Sequence, residues 1–290
     1  MRRRPKVYWM PERKLSFSQF EIAHLGEVLP GLERIFREHG IDFYILGGLA
    51  RDILFLKEGI SPQRITRDID LAAFIPNPQD YELLLQNLVR QANFERISAN
   101  PVRLVHPSGV VVDILPFNEL TSSDADLVRF GPALAEFNLK GLHEVFETSL
   151  REFAIEEDHR YKVTTPEAII FLKLLAYDNK PEWRQKDLED IAQLLLHYFD
   201  LNDTDIYENH NDLFEEEREL EAISARVIGR KIRVILSSSP EMHQAFADIL
   251  NRFIENPTAS IFGILSREMK KMPEEVLGYL GEIGIGLRDG

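Results

Sequence analysis

Three aspartates stand where this chain could do chemistry. Asp68 and Asp70 are two apart at the start of Ile69–Ile75, an apolar run that reads as a strand stopped by Pro76 and Pro78. Residues i and i+2 of a strand share one face, so the two carboxylates lie side by side. Close carboxylates repel, and a hard divalent cation relieves that repulsion. The plain alternative is a turn before a strand, where aspartate is common. The third, Asp113, interrupts five apolar neighbours in Val110-Val111-Val112-Asp113-Ile114-Leu115. A carboxylate buried without a partner is costly and needs a cation or a hydrogen-bond network. The alternative is an edge position facing solvent. If the Asp113 strand lies beside the Asp68/Asp70 strand, three carboxylates converge. Such a set suits two Mg²⁺ ions, which can activate a hydroxyl and stabilise a phosphoryl leaving group.

A fourth feature is Gly47-Gly48, at the point where the apolar run Phe43–Leu46 gives way to helical spacing over Leu49–Lys57. Glycines at a helix start let backbone N–H groups come close to a phosphate. They also simply satisfy the dihedrals of a tight turn. Neither a Walker P-loop nor the dinucleotide-binding glycine fingerprint occurs in the chain.

Several elements must position these groups. A helix is expected over Ser18–Glu38, ended by Gly40 in the left-handed position after a helix. Gln79–Gln91 has Tyr81, Leu84, Leu85 and Leu88 on one helical face. Val102–His106 and Val110–Leu115 flank Pro107-Ser108-Gly109 and read as a hairpin, with Pro116 ending its second strand. Leu150–Glu156 and Tyr161–Thr164 suggest another hairpin, while residues 117–147 are polar and less regular. From Pro166 the spacing is helical, over 166–178, 183–199, 216–237 and 240–255. Asp200–Glu217 reads as an acidic solvated connector, and the glycine-rich segment after Pro273 as a tail that frays. The fold class is therefore α+β. A mixed sheet with flanking helices occupies residues 1–165 and a helical domain residues 166–290.

The residues that carry chemistry resemble a known family. Gly47-Gly48-Leu49-Ala50-Arg51-Asp52, followed by Arg64-Ile65-Thr66-Arg67-Asp68-Ile69-Asp70, is similar to the signature of the DNA polymerase beta nucleotidyltransferase superfamily. In that pattern a glycine pair opens a helix, an Asp-x-Asp strand follows, and a later strand supplies a third aspartate. R-x-[ST]-x-D-x-D resembles the AbiEii-type nucleotidyltransferases, among them toxins of type IV toxin–antitoxin systems. The glycine start also echoes tRNA CCA-adding enzymes. A second block, Leu172-Lys173-Leu174-Leu175-Ala176 with Arg184-Gln185-Lys186-Asp187-Leu188-Glu189-Asp190, is similar to that family's helical half. The resemblance runs from about residue 40 to about residue 200.

The resemblance implies a nucleotidyltransferase-like sheet and a transfer of a nucleoside monophosphate from an NTP to an acceptor hydroxyl, with release of pyrophosphate. Mg²⁺ or Mn²⁺ would be held by Asp68, Asp70 and Asp113. Gly47, Gly48, Arg51, Arg64, Thr66, Lys173 and Asp187 would serve the nucleotide. The acceptor, whether RNA such as tRNA, protein or a small molecule, is left open, and an antitoxin protein is an expected partner only by family association. Each of these residues also has an ordinary reading. Arg51 either touches phosphate or makes an ion pair, and Thr66 either bonds a phosphate oxygen or caps its turn. Arg64 is a phosphate contact or a surface arginine, and Lys173 reaches phosphates or snorkels from an apolar face. Asp187 and Asp190 either orient Lys173 or line a solvated helix face. The alternative to an enzyme is a non-catalytic nucleotide-binding or toxin–antitoxin interaction protein that keeps the fold. A third reading is a helical interaction protein with incidental carboxylates.

Composition narrows the field. The chain of 290 residues has 34 Lys+Arg against 48 Asp+Glu, a net charge of −14. That argues against sequence-specific DNA binding held by charge, although the arm Arg2–Lys14 is locally basic. With no cysteine, disulfides, thiolate catalysis and zinc–cysteine sites are excluded. The eight histidines show no metal-ligand spacing. The longest apolar stretch, Ala168–Tyr177, falls far short of the ~20 residues of a membrane span. No signal-peptide core follows the basic start, so the expectation is a soluble cytoplasmic protein.

Overall fold

The computed structural model describes residues 13–118, 139–256 and 260–289. Most of the basic arm and much of the polar 117–147 stretch lie outside the described residues. A mixed seven-stranded sheet forms the first half, in the order β3-β4-β5-β2-β1-β7-β6. Its strands are β1 (Phe43–Leu46), β2 (Asp68–Phe74), β3 (Glu95–Arg96), β4 (Arg103–Val105), β5 (Val111–Phe117), β6 (Leu150–Ile155) and β7 (His159–Thr164). β2 is central. It runs antiparallel to β1 and parallel to β5, and β5 pairs antiparallel with β4.

Among the described residues, four α-helices accompany the strands: α1 (Leu25–Glu38), α2 (Gly47–Glu58), α3 (Pro78–Ala92) and α4 (Leu142–Thr148). α1 begins later than the spacing suggests, because His24 adopts left-handed dihedrals (φ 57°) just before it. α3 opens with Pro78 in its first turn, and the Asn77 side chain accepts from the Asp80 amide, a strong start signal. Gly109 takes φ +87° in the β4–β5 turn, a conformation that glycine adopts freely. Pro116 does not end β5: it sits inside the strand, opposite Ala73 of β2.

The second half is helical: α5 (Pro166–Asn179), α6 (Gln185–Asn209), α7 (Leu220–Ile235), α8 (Pro240–Glu255), α9 (Ser260–Met269) and α10 (Pro273–Gly286). One apolar cluster runs through both halves. α2 links them, packing on β1 and β2 on one side and on α5 and α6 on the other.

Two further expectations fail. The acidic stretch after Asp200 is mostly helix, since α6 continues to Asn209 with a kink at Asn202. Leu201 and Ile206 are buried there and anchor the extension, so its acidic composition conceals its helical state. The glycine-rich end is likewise a packed helix. Val276, Leu280, Ile283 and Leu287 are fully buried at helical spacing. Gly286 meets Gly229 of α7 so closely that a Cβ on either would collide with the other helix's backbone. These two glycines make the contact possible.

Candidate active site

The strand register brings the three predicted carboxylates together. Asp70 and Asp113 are direct partners across β2 and β5. Opposed residues of neighbouring strands point to the same face, and Asp68 shares that face by its spacing. The crowding has an electrostatic signature. Burial, then the charges of Asp68 and Asp113, push the Asp70 carboxyl up to about 7, with Lys173 pulling the other way.

The glycine pair lies against this set. α2 starts at Gly47 directly after β1, and no side chain caps it. Gly47 has φ +68°, and a Cβ there would collide with the Asp70 carboxylate. A Cβ on Gly48 would press on Thr66, 2.8 Å from its Oγ1. Both glycines are therefore needed for a close approach as well as for a turn. The uncapped N–H groups of α2 open beside Asp70.

Lys173 of α5 is largely buried. It donates to Asp187 at 2.5 Å and pairs with Asp190 at 2.8 Å. Burial alone would lower its pKa, but the charges of Asp190 and Asp187 outweigh that and raise it. Asp187 keeps one oxygen in reserve: its Oδ2 is buried and accepts no hydrogen bond, with Arg184 standing 3.5 Å away. Asp190 is 1% exposed and is the hub of the helix side. It accepts from Arg51 and, at 2.9 Å on both oxygens, from Arg64. Lys173, Arg51 and Arg64 together outweigh the burial that would raise it, so its carboxyl stays below the ordinary range.

Arg51 takes the ion-pair alternative. It is 1% exposed, and it donates to Asp52 (2.6 and 2.9 Å), Asp190, the Arg64 carbonyl (3.0 Å) and the Thr66 hydroxyl (3.2 Å). Burial raises the Asp52 carboxyl despite Arg51 and the Thr66 hydroxyl. Thr66, also buried, braces this network below the carboxylate strand. Arg64 is half-exposed on the rim. Of the predicted residues, Asp68, Asp70 and Asp113 gather on the sheet, with Gly47 and Gly48 of α2 against them. Lys173 and Asp187 reach Asp70 electrostatically from the helices, and Arg51, Thr66 and Arg64 tie the two sides together.

Two residues escaped the sequence reading. Arg103 of β4 stands opposite Asp113 and clamps both its oxygens, at 2.8 and 2.6 Å. Asp52 stands out in the sequence only as part of a motif, yet it accepts from two of Arg51's nitrogens. A signal for Arg103 did exist: the turn at Pro107-Ser108-Gly109 sets the pairing that places it across from Asp113.

A hard divalent cation fits this donor set. The ligands on offer are carboxylate oxygens, Asp70 is crowded by like charge, and an Asp187 oxygen is free of hydrogen bonds. Among the described residues no three acidic or histidine side chains already close on one point. Asp113 is engaged by Arg103 instead. A pocket of about 790 Å³ opens beside Asp68, lined also by Arg64, Arg67, Arg103 and Lys186. Among the described residues no helix is long and apolar enough to cross a membrane.

No known protein family matches the chain, and no curated protein does. Two solved structures are similar to it at a distance. The solution structure of the antibiotic-resistance factor ANT(2'')-Ia is 17% identical with a TM-score of 0.37, over 64% of this chain and 92% of that one. The cyclic dinucleotide synthase CdnE of Elizabethkingia meningoseptica, with GTP and Apcpp, is 12% identical with a TM-score of 0.26, over 91% and 94%. Both superpositions are loose, and neither bears on the chemistry of this site.

Proposed function

We propose that the chain is a nucleotidyltransferase that moves a nucleoside monophosphate from an NTP to an acceptor hydroxyl. The observation that carries this reading is the alignment of Asp68, Asp70 and Asp113 on one face, against the uncapped glycine start of α2. The acceptor oxygen bonds to the α-phosphorus as the bond from that phosphorus to the β-phosphate oxygen breaks. Pyrophosphate leaves with the electron pair, and the acceptor's proton passes to solvent. Asp68, Asp70 and Asp113 would hold Mg²⁺ or Mn²⁺. Bound there, the ions would lower the pKa of the acceptor hydroxyl and offset charge on the leaving pyrophosphate.

The rest of the site binds and positions. The N–H groups at Gly47 and Gly48 face phosphate oxygens. Lys173, held by Asp187 and Asp190, supplies a fixed positive charge near Asp70. Arg64 offers a donor from the rim. Arg51 and Thr66 act through others, by holding the glycine turn and α6 in register. In this reading residues 1–165 carry the carboxylates and residues 166–290 carry Lys173 and Asp187.

One observation favours a second reading, nucleotide binding without turnover: Arg103 occupies both oxygens of Asp113. Label transfer separates the two. The protein is incubated with Mg²⁺, each α-labelled NTP and pools of RNA, protein and small-molecule acceptors. Transfer paired with pyrophosphate release, abolished in Asp70→Asn, supports the enzyme. Binding without release in every pool supports the second reading. Full transfer by Asp70→Asn overturns the metal assignment.

A further inference from the structure

Arg103 and Asp113 form the one bidentate contact in the carboxylate face. The hairpin register sets them opposite each other, and the guanidinium takes both oxygens. Arg103 feels more than its partner. The hydrogen bonds to Asp113 raise its pKa most, burial opposes, and the charges of Asp113, Asp68 and Asp70 add to the rise. One cation thus answers three carboxylates while bonding to one of them. The clamp is also open to water, since the Arg103 side chain is 37% exposed. An exposed pair of this kind is weakly held compared with a buried one.

The same side chain lines the 790 Å³ pocket beside Asp68, where Arg64, Arg67 and Lys186 stand among Glu189, Asp190 and Glu268. Arg67 and Lys186 have no ion-pair partner among the described residues. A guanidinium released from Asp113 therefore joins two uncommitted cations at the mouth of the proposed site.

We propose that Arg103 competes with a divalent cation for Asp113 and, once displaced, turns to the pocket to bind a phosphate group of the acceptor. The proposal rests on the nucleotidyl-transfer reading and deepens it by naming an anionic, phosphate-bearing acceptor. It also makes the two ligands cooperative. The cation frees Arg103 for the anion, and the anion tightens the cation by the same factor.

Calorimetric titration of Mn²⁺ tests this in wild type, Arg103→Gln and Arg103→Lys, with and without inorganic sulfate as the probe for the pocket. Arg103→Gln is expected to bind Mn²⁺ about fivefold more tightly or better, the lower end of ordinary coupling. Arg103→Lys keeps the charge but loses the two-point clamp, and it too binds more tightly. A general charge effect would leave Arg103→Lys unchanged, and that result overturns the proposal. Sulfate is expected to tighten Mn²⁺ binding in wild type and not in Arg103→Gln, and equal effects on both overturn it. A thermal melt of each variant confirms that it is folded. Mn²⁺ binding that is identical in all three chains removes Arg103's role and leaves the site assignment standing. Mn²⁺ binding in none of them removes both.

Discussion

Two groups of three aspartates stand in contrast, one on the sheet and one between the helices. On the sheet, Asp68, Asp70 and Asp113 share one arginine, Arg103. Between the helices, Asp52, Asp187 and Asp190 share Arg51, Arg64 and Lys173. The matched group behaves as structure. Its cations hold Asp190 below the ordinary carboxylate range and join α2, α5 and α6. The unmatched group behaves as a site, with Asp70 pushed up to about 7 by its neighbours. Buried carboxylates matched by as many cations stabilise a geometry, whereas crowded carboxylates short of cations mark where a cation belongs.

The sharpest way to break this contrast is Asp190→Ala. It leaves Arg51, Arg64 and Lys173 facing one another across a buried space, and a loss of about 3–5 kcal/mol is expected by urea denaturation. A loss as small as that of a surface substitution would mean that the matched group is not structural. Gly47→Ala comes next, at about 1–3 kcal/mol, because it combines φ +68° with a collision at Asp70. A thermal melt of this variant with Mg²⁺–NTP should show no ligand-induced shift.

The pH dependence sharpens the contrast further. Asp190 has a lowered pKa in the folded chain, so its contribution is present above the unfolded value and fades as pH falls through the folded one. Stability should therefore drop below about pH 4. Asp190→Asn, already weaker at neutral pH, should lose less over the same interval. The smallest effect, and one of opposite sign, is expected for Asp70→Asn without metal. Removing a crowded like charge should leave the melting temperature at neutral pH unchanged or slightly higher. A marked fall would place Asp70 with the matched group.

Much of this was legible in the sequence. Asp68 and Asp70 announce a shared face by spacing alone, and Asp113 stands out as one charge in an apolar run. The β4–β5 hairpin was readable from its turn residues. The Arg103 clamp was harder to see, because an arginine on a short outer strand looks ordinary until the register is counted across the turn. The network around Asp190 was hidden for a different reason. Arg51 and Asp190 are 139 positions apart, and only packing of α2 on α6 makes them partners. Composition misled in two places. The acidic residues after Asp200 masked a helix held by Leu201 and Ile206, and the glycines of α10 looked like breakers although Gly286 lets two helices touch.

The central claim is that the sheet carboxylates bind a nucleotide through a divalent cation. Calorimetric titration of the four NTPs with Mg²⁺, against wild type and the Asp68→Ala/Asp70→Ala variant, tests it most directly. The account predicts metal-dependent binding of at least one NTP to wild type and none to the variant, with both chains folded. Equal binding to both, or binding that does not need the metal, would contradict it.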